Sequence, residues 1–156
     1  MSLIGPQLNG QKGGVMVRSA LDAAAPFETL VMRRNAWDLT CKHRTTQGGG
    51  IVEPKTIDGR GNWSVKAAST VWMRICRRGN VFTSLYRTAT TAWTELYRYE
   101  DVNGVYGDTV YVGPVTSYIA LTDEQWATSL YAKAYYSWRF SEVELRPFTG
   151  LRFILR

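Results

Sequence analysis

The 156-residue chain has few of the residues that metal sites and disulfide scaffolds require. It contains two cysteines and one histidine. A small secreted domain held together by disulfides carries more cysteines, and two cysteines with one histidine do not complete a closed zinc site. We therefore expect Cys41 and Cys76 to be buried free thiols, and we expect neither a metal ion nor a cofactor.

Long apolar runs are also lacking. No run approaches the ~20 residues that a membrane-spanning helix needs, so no membrane partner is expected. The first residues, MSLIGPQLNGQKGG, do not combine a basic segment with an apolar one, which indicates that there is no signal peptide. The sequence thus predicts a protein that is made and folded in a cytoplasm.

Paired catalytic acids are scarce, and this argues against a glycosidase. Such enzymes use two carboxylates that lie ~5 Å apart or somewhat farther. The alternating acidic pair is Glu142 and Glu144, which we interpret as a solvated strand end before Pro147. A Cys41/His43 dyad is disfavoured, because side chains two residues apart on a strand lie ~6–7 Å from each other. The sequence predicts that the protein is not an enzyme.

Aromatic residues are abundant, with 6 Trp, 9 Tyr and 5 Phe, and they favour β-structure. The stretch WDLTCKHR (37–44) alternates with a period of two, as a strand does. Similar patterns predict strands over 13–20, 27–34, 71–77, 81–87, 93–100, 109–118 and within 131–145, with a brief strand near 51–52. Gly79-Asn80 predicts a two-residue hairpin turn, and 121–130 is the one helical candidate. The sequence therefore predicts an all-β sandwich.

The net charge of +6 is distributed unevenly. Residues 1–100 hold 14 Lys and Arg against 7 Asp and Glu, whereas residues 101–156 hold 5 against 6. The arginines are spread singly through predicted strands and form no basic block, so a strand face is favoured over a nucleic-acid site. The segments DGRGN and DVNGVYGD contain oxygen ligands but match no complete calcium loop, and we interpret them as ordinary turns.

Several motifs occur in a recognisable order. GGVMVRSALDAAAPFETLVM, HRTTQGGG, VWMRICRRGNVFTSLYRTATTAWTEL and DTVYVGPVTS together resemble small jelly-roll modules of the concanavalin A-like lectin/glucanase superfamily. The resemblance covers residues 13–145 and leaves 1–12 as an N-terminal arm and 146–156 as a C-terminal tail. It implies a concanavalin A-like jelly roll of two antiparallel sheets with at most one short helix.

The resemblance also suggests where a site would lie. It implies that Arg18, Arg44 and Arg74 line one sheet together, and we include all three among the candidate glycan-binding residues. Trp72, Arg74 and Tyr86 form a candidate glycan patch if all three face the concave side, because lectin sites stack aromatic rings on sugars. Since few residues precede the first matching strand, we expect the C-terminal tail or a neighbouring subunit to complete a sheet, and hence a homo-oligomer.

These expectations favour a non-enzymatic structural or adhesion module. A bacteriophage virion surface protein, either a capsid decoration or a tail protein, fits a sandwich folded without disulfides. Its partners would be other virion proteins, its own copies and cell-surface glycans, with no role for nucleic acid. A carbohydrate-binding module is the alternative function, and a glycoside hydrolase is the third.

Overall fold

The protein is built from β-strands. The computed structural model describes residues 2–4, 12–33, 38–57, 70–117 and 137–139, and these ranges contain no helix and hence none that could span a membrane. The strands are β1 (Ser2–Ile4), β2 (Lys12–Arg18), β3 (Phe27–Arg33), β4 (Asp38–Arg44), β5 (Val52–Ile57), β6 (Trp72–Arg78), β7 (Val81–Arg87), β8 (Thr94–Glu100), β9 (Tyr111–Ser117) and β10 (Ser137–Arg139). The predicted all-β class is confirmed.

Two antiparallel sheets form the sandwich. The five-stranded sheet has the order β5-β4-β3-β2-β9, and the three-stranded sheet has the order β6-β7-β8. The chain makes a meander from β2 to β5, crosses to the other sheet for β6 to β8, and returns as β9 beside β2. This return to the first strand of a meander is a Greek-key connection.

The two termini of the described chain meet in a separate strand pair. β1 pairs with β10 in antiparallel fashion, with Leu3 opposite Trp138. The expected N-terminal arm (1–12) therefore holds a short strand, and its last residue already belongs to β2. The predicted helical turn (121–130), the acidic pair Glu142 and Glu144 and the C-terminal tail (146–156) lie outside the described residues.

The hairpin of β6 and β7 follows from its turn. Gly79 has a φ of +57°, in the left-handed region that glycine adopts without strain. With Gly79 and Asn80 as the two turn residues, Arg78 lies opposite Val81 and Trp72 lies opposite Arg87. The predicted turn is confirmed, and it sets the pairing of every residue in the two strands.

Proline positions mark the edges of the described five-stranded sheet. The sequence predicts only a brief strand near residues 51–52, but β5 extends to Ile57 and contains Pro54. Pro54 is tolerated because β5 is an edge strand, where a missing N–H leaves no neighbour unpaired. β9 contains Gly113-Pro114, which a strand tolerates at a bulge or at an edge, and β9 forms the opposite edge.

The core lies between the sheets. The main apolar cluster joins Leu30, Met32, Leu39 and Cys41 of the five-stranded sheet to Val71, Tyr86 and Leu96 of the other half. A second cluster combines Val17, Phe82 and Tyr106. Both cysteines are free, with Cys41 buried and Cys76 half-buried.

The loop after β8 is fastened by one buried carboxylate. Asp101 is completely buried, and its side chain accepts hydrogen bonds from the backbone N–H groups of Val105 (3.1 Å) and Tyr106 (3.0 Å). Tyr106 then packs on Phe82 with 4.5 Å between ring centroids. The carboxylate of DVNGVYGD thus shapes the turn that places Tyr106 in the core.

Gly14→Ala tests the close approach of β2 to β3. A Cβ at Gly14 would lie 2.7 Å from the Cα of Val31 and would also clash with the carbonyl oxygen of Leu30. Since backbone atoms cannot move aside cheaply, we expect a loss of about 1–3 kcal/mol in the free energy of unfolding. Urea denaturation measures it.

The matched control for this substitution is Gly113→Ala. Gly113 is also a strand glycine, but a Cβ there meets nothing within 4 Å. Alanine should be neutral or stabilise by up to about 1 kcal/mol. Equal losses at Gly14 and Gly113 would contradict the close packing of β2 on β3.

Asp101→Asn tests the fastening of the loop. An amide offers one acceptor oxygen where the carboxylate offers two, so one buried backbone N–H loses its partner. We expect a loss of about 1–3 kcal/mol in the free energy of unfolding. Asp108→Asn, at an exposed position in the same loop, is the control and should change stability by less than about 0.5 kcal/mol.

Candidate functional site

Arg18 and Arg44 lie on one face of the five-stranded sheet, on either side of Phe27. Phe27 is the direct cross-strand neighbour of both arginines. The Arg44 guanidinium lies 5.3 Å from the Phe27 ring centroid and donates to the carbonyl of Ala23, and Arg18 donates to the carbonyl of Asp22. These contacts hold the connection between β2 and β3, so both arginines have a structural use.

Arg74 does not lie with Arg18 and Arg44, and the expectation that the three line one sheet is wrong. Arg74 belongs to β6, which is part of the three-stranded sheet. The motif order indicates which segments are strands, but it does not specify which sheet each strand joins.

The residues of the candidate glycan patch are divided between two faces. Tyr86 is 6% exposed and packs in the core, opposite Met73 of β6. Trp72 and Arg74 occupy the alternate positions of β6 and therefore lie on the outer face of the three-stranded sheet. The structure brings Trp72 and Arg74 together and separates both from Tyr86.

Two further residues complete a cluster on that outer face. The guanidinium of Arg87 lies 4.7 Å from the ring centroid of Trp72 and 5.3 Å from that of Trp93, and the guanidinium of Arg74 lies 4.2 Å from Trp93. We call Trp72, Arg74, Arg87 and Trp93 the Arg–Trp cluster. Each contact is a cation–π interaction, with a favourable energy of about 0.5–1 kcal/mol at an exposed site.

The sequence patterns do not mark Arg87 or Trp93 as site residues, although the position of Arg87 follows from the predicted turn. Counting outward from the turn at Gly79-Asn80 pairs Trp72 with Arg87 directly. Trp93 precedes β8, which pairs with β7 across a register shift between Ser84 and Leu85. No sequence pattern marks that shift, so the position of Trp93 could not be counted.

The outer face of the three-stranded sheet carries an excess of positive charge. Besides Arg74 and Arg87, the outward positions include Arg78 and Arg98, opposed by two glutamates, Glu95 and Glu100. Arg98 pairs with Glu95 at 3.2 Å.

Arg74 and Arg87 remain without a negative partner. Within the described ranges, no carboxylate lies at ion-pair distance from either arginine. The Nε of Arg87 is buried and has no hydrogen-bond partner. Among the described residues, the cluster therefore presents two guanidinium groups that no carboxylate neutralises.

A separate group of polar side chains lies in the interior, between the sheets. Glu28 is 1% exposed, and its Oε2 lies 3.5 Å from Nδ1 of its cross-strand neighbour His43. The His43 ring packs against Tyr99 and Tyr97, with centroid distances of 5.1 Å and 5.9 Å. Burial raises the pKa of the Glu28 carboxyl above its ordinary value, against the smaller opposing effect of His43.

The interior does not favour thiol chemistry. Burial raises the pKa of the Cys41 thiol to about 12. A nucleophilic cysteine needs a thiolate at neutral pH, so this environment argues against a Cys41/His43 dyad. Within the residues that the structure describes, no three His, Cys, Asp or Glu side chains are grouped so as to hold a metal ion.

The chain does not match known proteins in any of three comparisons. No protein-family model matches it, and neither a curated protein nor a solved structure shows significant similarity. The concanavalin A-like resemblance therefore stays an expectation, and the candidate site depends on the contacts described above.

Glu28→Gln tests the buried carboxyl through the pH dependence of stability. A group whose pKa is raised on folding stabilises the native state fully below its unfolded pKa of 4.5, and this contribution is lost as pH rises through the higher folded value. Glutamine removes this loss. We expect the variant to exceed the wild type at pH 8 by about 1–3 kcal/mol in the free energy of unfolding and the difference to shrink at pH 5.

Urea denaturation at the two pH values measures this difference. Glu95→Gln, on the outer face, makes the same change in net charge and is the control. A wild-type advantage over Glu28→Gln that grows from pH 5 to pH 8 would show that the carboxylate is stabilised in the core by His43.

Proposed function

We propose that the protein is a non-enzymatic structural and adhesion module on the surface of a bacteriophage particle, as a capsid decoration or tail protein. The observation that carries the proposal is the Arg–Trp cluster on the outer face of the three-stranded sheet. Indole rings stack on the apolar faces of ligands, and guanidinium groups bind anionic groups through paired hydrogen bonds. Two of each, in contact on a partly exposed strand face, favour a binding surface over an ordinary solvated one.

The arrangement of acids supports binding rather than hydrolysis. Glu95 and Glu100 are five positions apart on β8, which corresponds to roughly 17 Å along a strand. A glycosidase needs its two carboxyl groups within about 10 Å. Glu95 is already paired with Arg98, and Glu28 is enclosed in the core.

The edges of the five-stranded sheet support assembly with further copies or other virion proteins. Val52 on β5 and Tyr111 and Val112 on β9 are large side chains exposed at the two edge strands. An exposed strand edge is a template for pairing with another chain. A sandwich without a disulfide, with both cysteines free, also suits a protein that folds in a host cytoplasm and then joins a particle.

Particle association tests this function directly. Affinity-tagged protein is expressed during phage infection, and the particles are banded in a density gradient. We expect the full-length chain to band with the particles at a constant copy number and to remain there after washing in 1 M salt. Protein that stays at the top of the gradient would contradict the virion role.

The absence of catalysis is tested in the same preparation. Purified protein should release no reducing ends from a panel of bacterial polysaccharides during long incubation, because Glu95 and Glu100 on β8 lie too far apart to act as a catalytic pair. Reducing-end release that Glu142→Gln or Glu144→Gln abolishes would overturn the non-enzymatic assignment in favour of a glycoside hydrolase.

A further inference from the structure

The Arg–Trp cluster also indicates a class of ligand. We propose that the outer face of the three-stranded sheet binds an acidic polysaccharide, with Arg74 and Arg87 pairing with uronate carboxylates and the tryptophan rings contacting the sugars. This inference rests on the proposed adhesion function and specifies what the module adheres to.

The excess of positive charge on the outer face favours an anionic ligand. Four arginines and two glutamates occupy the outward positions of β6, β7 and β8, and one glutamate is already paired with Arg98. Arg74 and Arg87 have no carboxylate partner among the described residues. A neutral glycan would leave both charges uncompensated on binding, whereas a uronate supplies the missing partner.

The orientation of the guanidinium groups leaves their N–H donors available to a carboxylate. Arg74 lies over Trp93, and Arg87 lies between Trp93 and Trp72, at 4.2–5.3 Å from the ring centroids. A guanidinium stacked on a ring keeps its N–H donors at its edge, where they can hold a carboxylate with two parallel hydrogen bonds.

The small area of the outer face favours a single polysaccharide chain over a protein surface as the ligand. Each of the three strands has seven residues, so the face measures roughly 10 by 23 Å at ~4.8 Å between strands and ~3.3 Å per residue. A stable protein interface buries about 800 Å² on each partner, which is more than this face offers. A single polysaccharide chain fits such a strip.

The stacking pattern separates a polysaccharide from single-stranded nucleic acid, the other polyanion of suitable width. Bases bind by stacking on open aromatic faces. The Trp93 ring already carries the guanidinium groups of Arg74 and Arg87, and the Trp72 ring carries that of Arg87, which restricts base stacking. A pyranose whose carboxylate is held by an arginine needs only a partial contact between its apolar C–H groups and an indole ring.

Binding of defined polymers to the full-length chain tests the proposal. Polygalacturonate is compared with its fully methyl-esterified form, which keeps the same backbone without the charges, and with a 20-nucleotide oligo(dT), by isothermal titration calorimetry. We expect the acid form to bind at least tenfold more tightly than either of the others, with an affinity that falls as salt is raised. This comparison uses the wild-type protein, so it does not depend on any variant folding.

Two substitutions locate the binding site. Arg74→Ala and Trp93→Ala should each weaken polygalacturonate binding at least tenfold, and Arg74→Lys should recover only part of the loss because an ammonium cannot form the bidentate pair. Lys55→Ala removes the same charge from an exposed position on β5 and should bind as the wild type does. Thermal melting of each variant confirms that it is folded.

Three results would overturn the inference: equal affinity for the acid and ester forms, tighter binding of oligo(dT), or no binding of polygalacturonate. The particle experiment separates this outcome from a failure of the proposed function. Protein that bands with particles but does not bind the acid polymer would support the virion role and contradict acidic-polysaccharide binding. Protein that binds the polymer but does not band with particles would support acidic-polysaccharide binding and contradict the virion role.

Discussion

The two-residue turn at Gly79-Asn80 is the constraint on which both faces of the three-stranded sheet depend. Because strand side chains alternate, the turn decides at once which residues meet in the core and which meet outside. It sets Met73 against Tyr86 in the interior and Trp72 against Arg87 on the surface. A shift of one residue would expose Tyr86 and bury Arg87. The sandwich core and the Arg–Trp cluster are thus two results of one register.

The two sheets divide the arginines into different uses. In the five-stranded sheet, Arg18 and Arg44 donate to backbone carbonyls beside Phe27. In the three-stranded sheet, Arg74 and Arg87 contact indole rings and have no carboxylate partner among the described residues. Arginines that lie at similar points of strand motifs therefore have different contacts, with carbonyls of the β2–β3 connection in one sheet and indole rings in the other.

Much of the strand pattern could be predicted from alternation, but not the assignment of strands to sheets. The boundaries of β4 agree with the prediction to within one residue, because apolar and polar positions alternate clearly in WDLTCKHR. The sequence predicts a shorter β5 than the structure shows, because a strand tolerates Pro54 only at a sheet edge. Which strand forms an edge depends on the order of strands in the complete sheet. The expectation that Arg74 lies with Arg18 and Arg44 follows from the family resemblance, and neither motif order nor alternation specifies which sheet a strand joins. The candidate patch combines Tyr86 with Trp72, but the register of the hairpin puts the two side chains on opposite faces of the sheet.

The cation–π contacts have an effect on binding besides the residues they bring together. A free arginine side chain loses about 2 kcal/mol of rotamer entropy when it is held in one conformation. Arg87 lies between two indole rings, and Arg74 lies against one, so part of this freedom is already lost in the unbound protein. The surface is preorganised, and a ligand that reaches it meets guanidinium groups that have little left to lose.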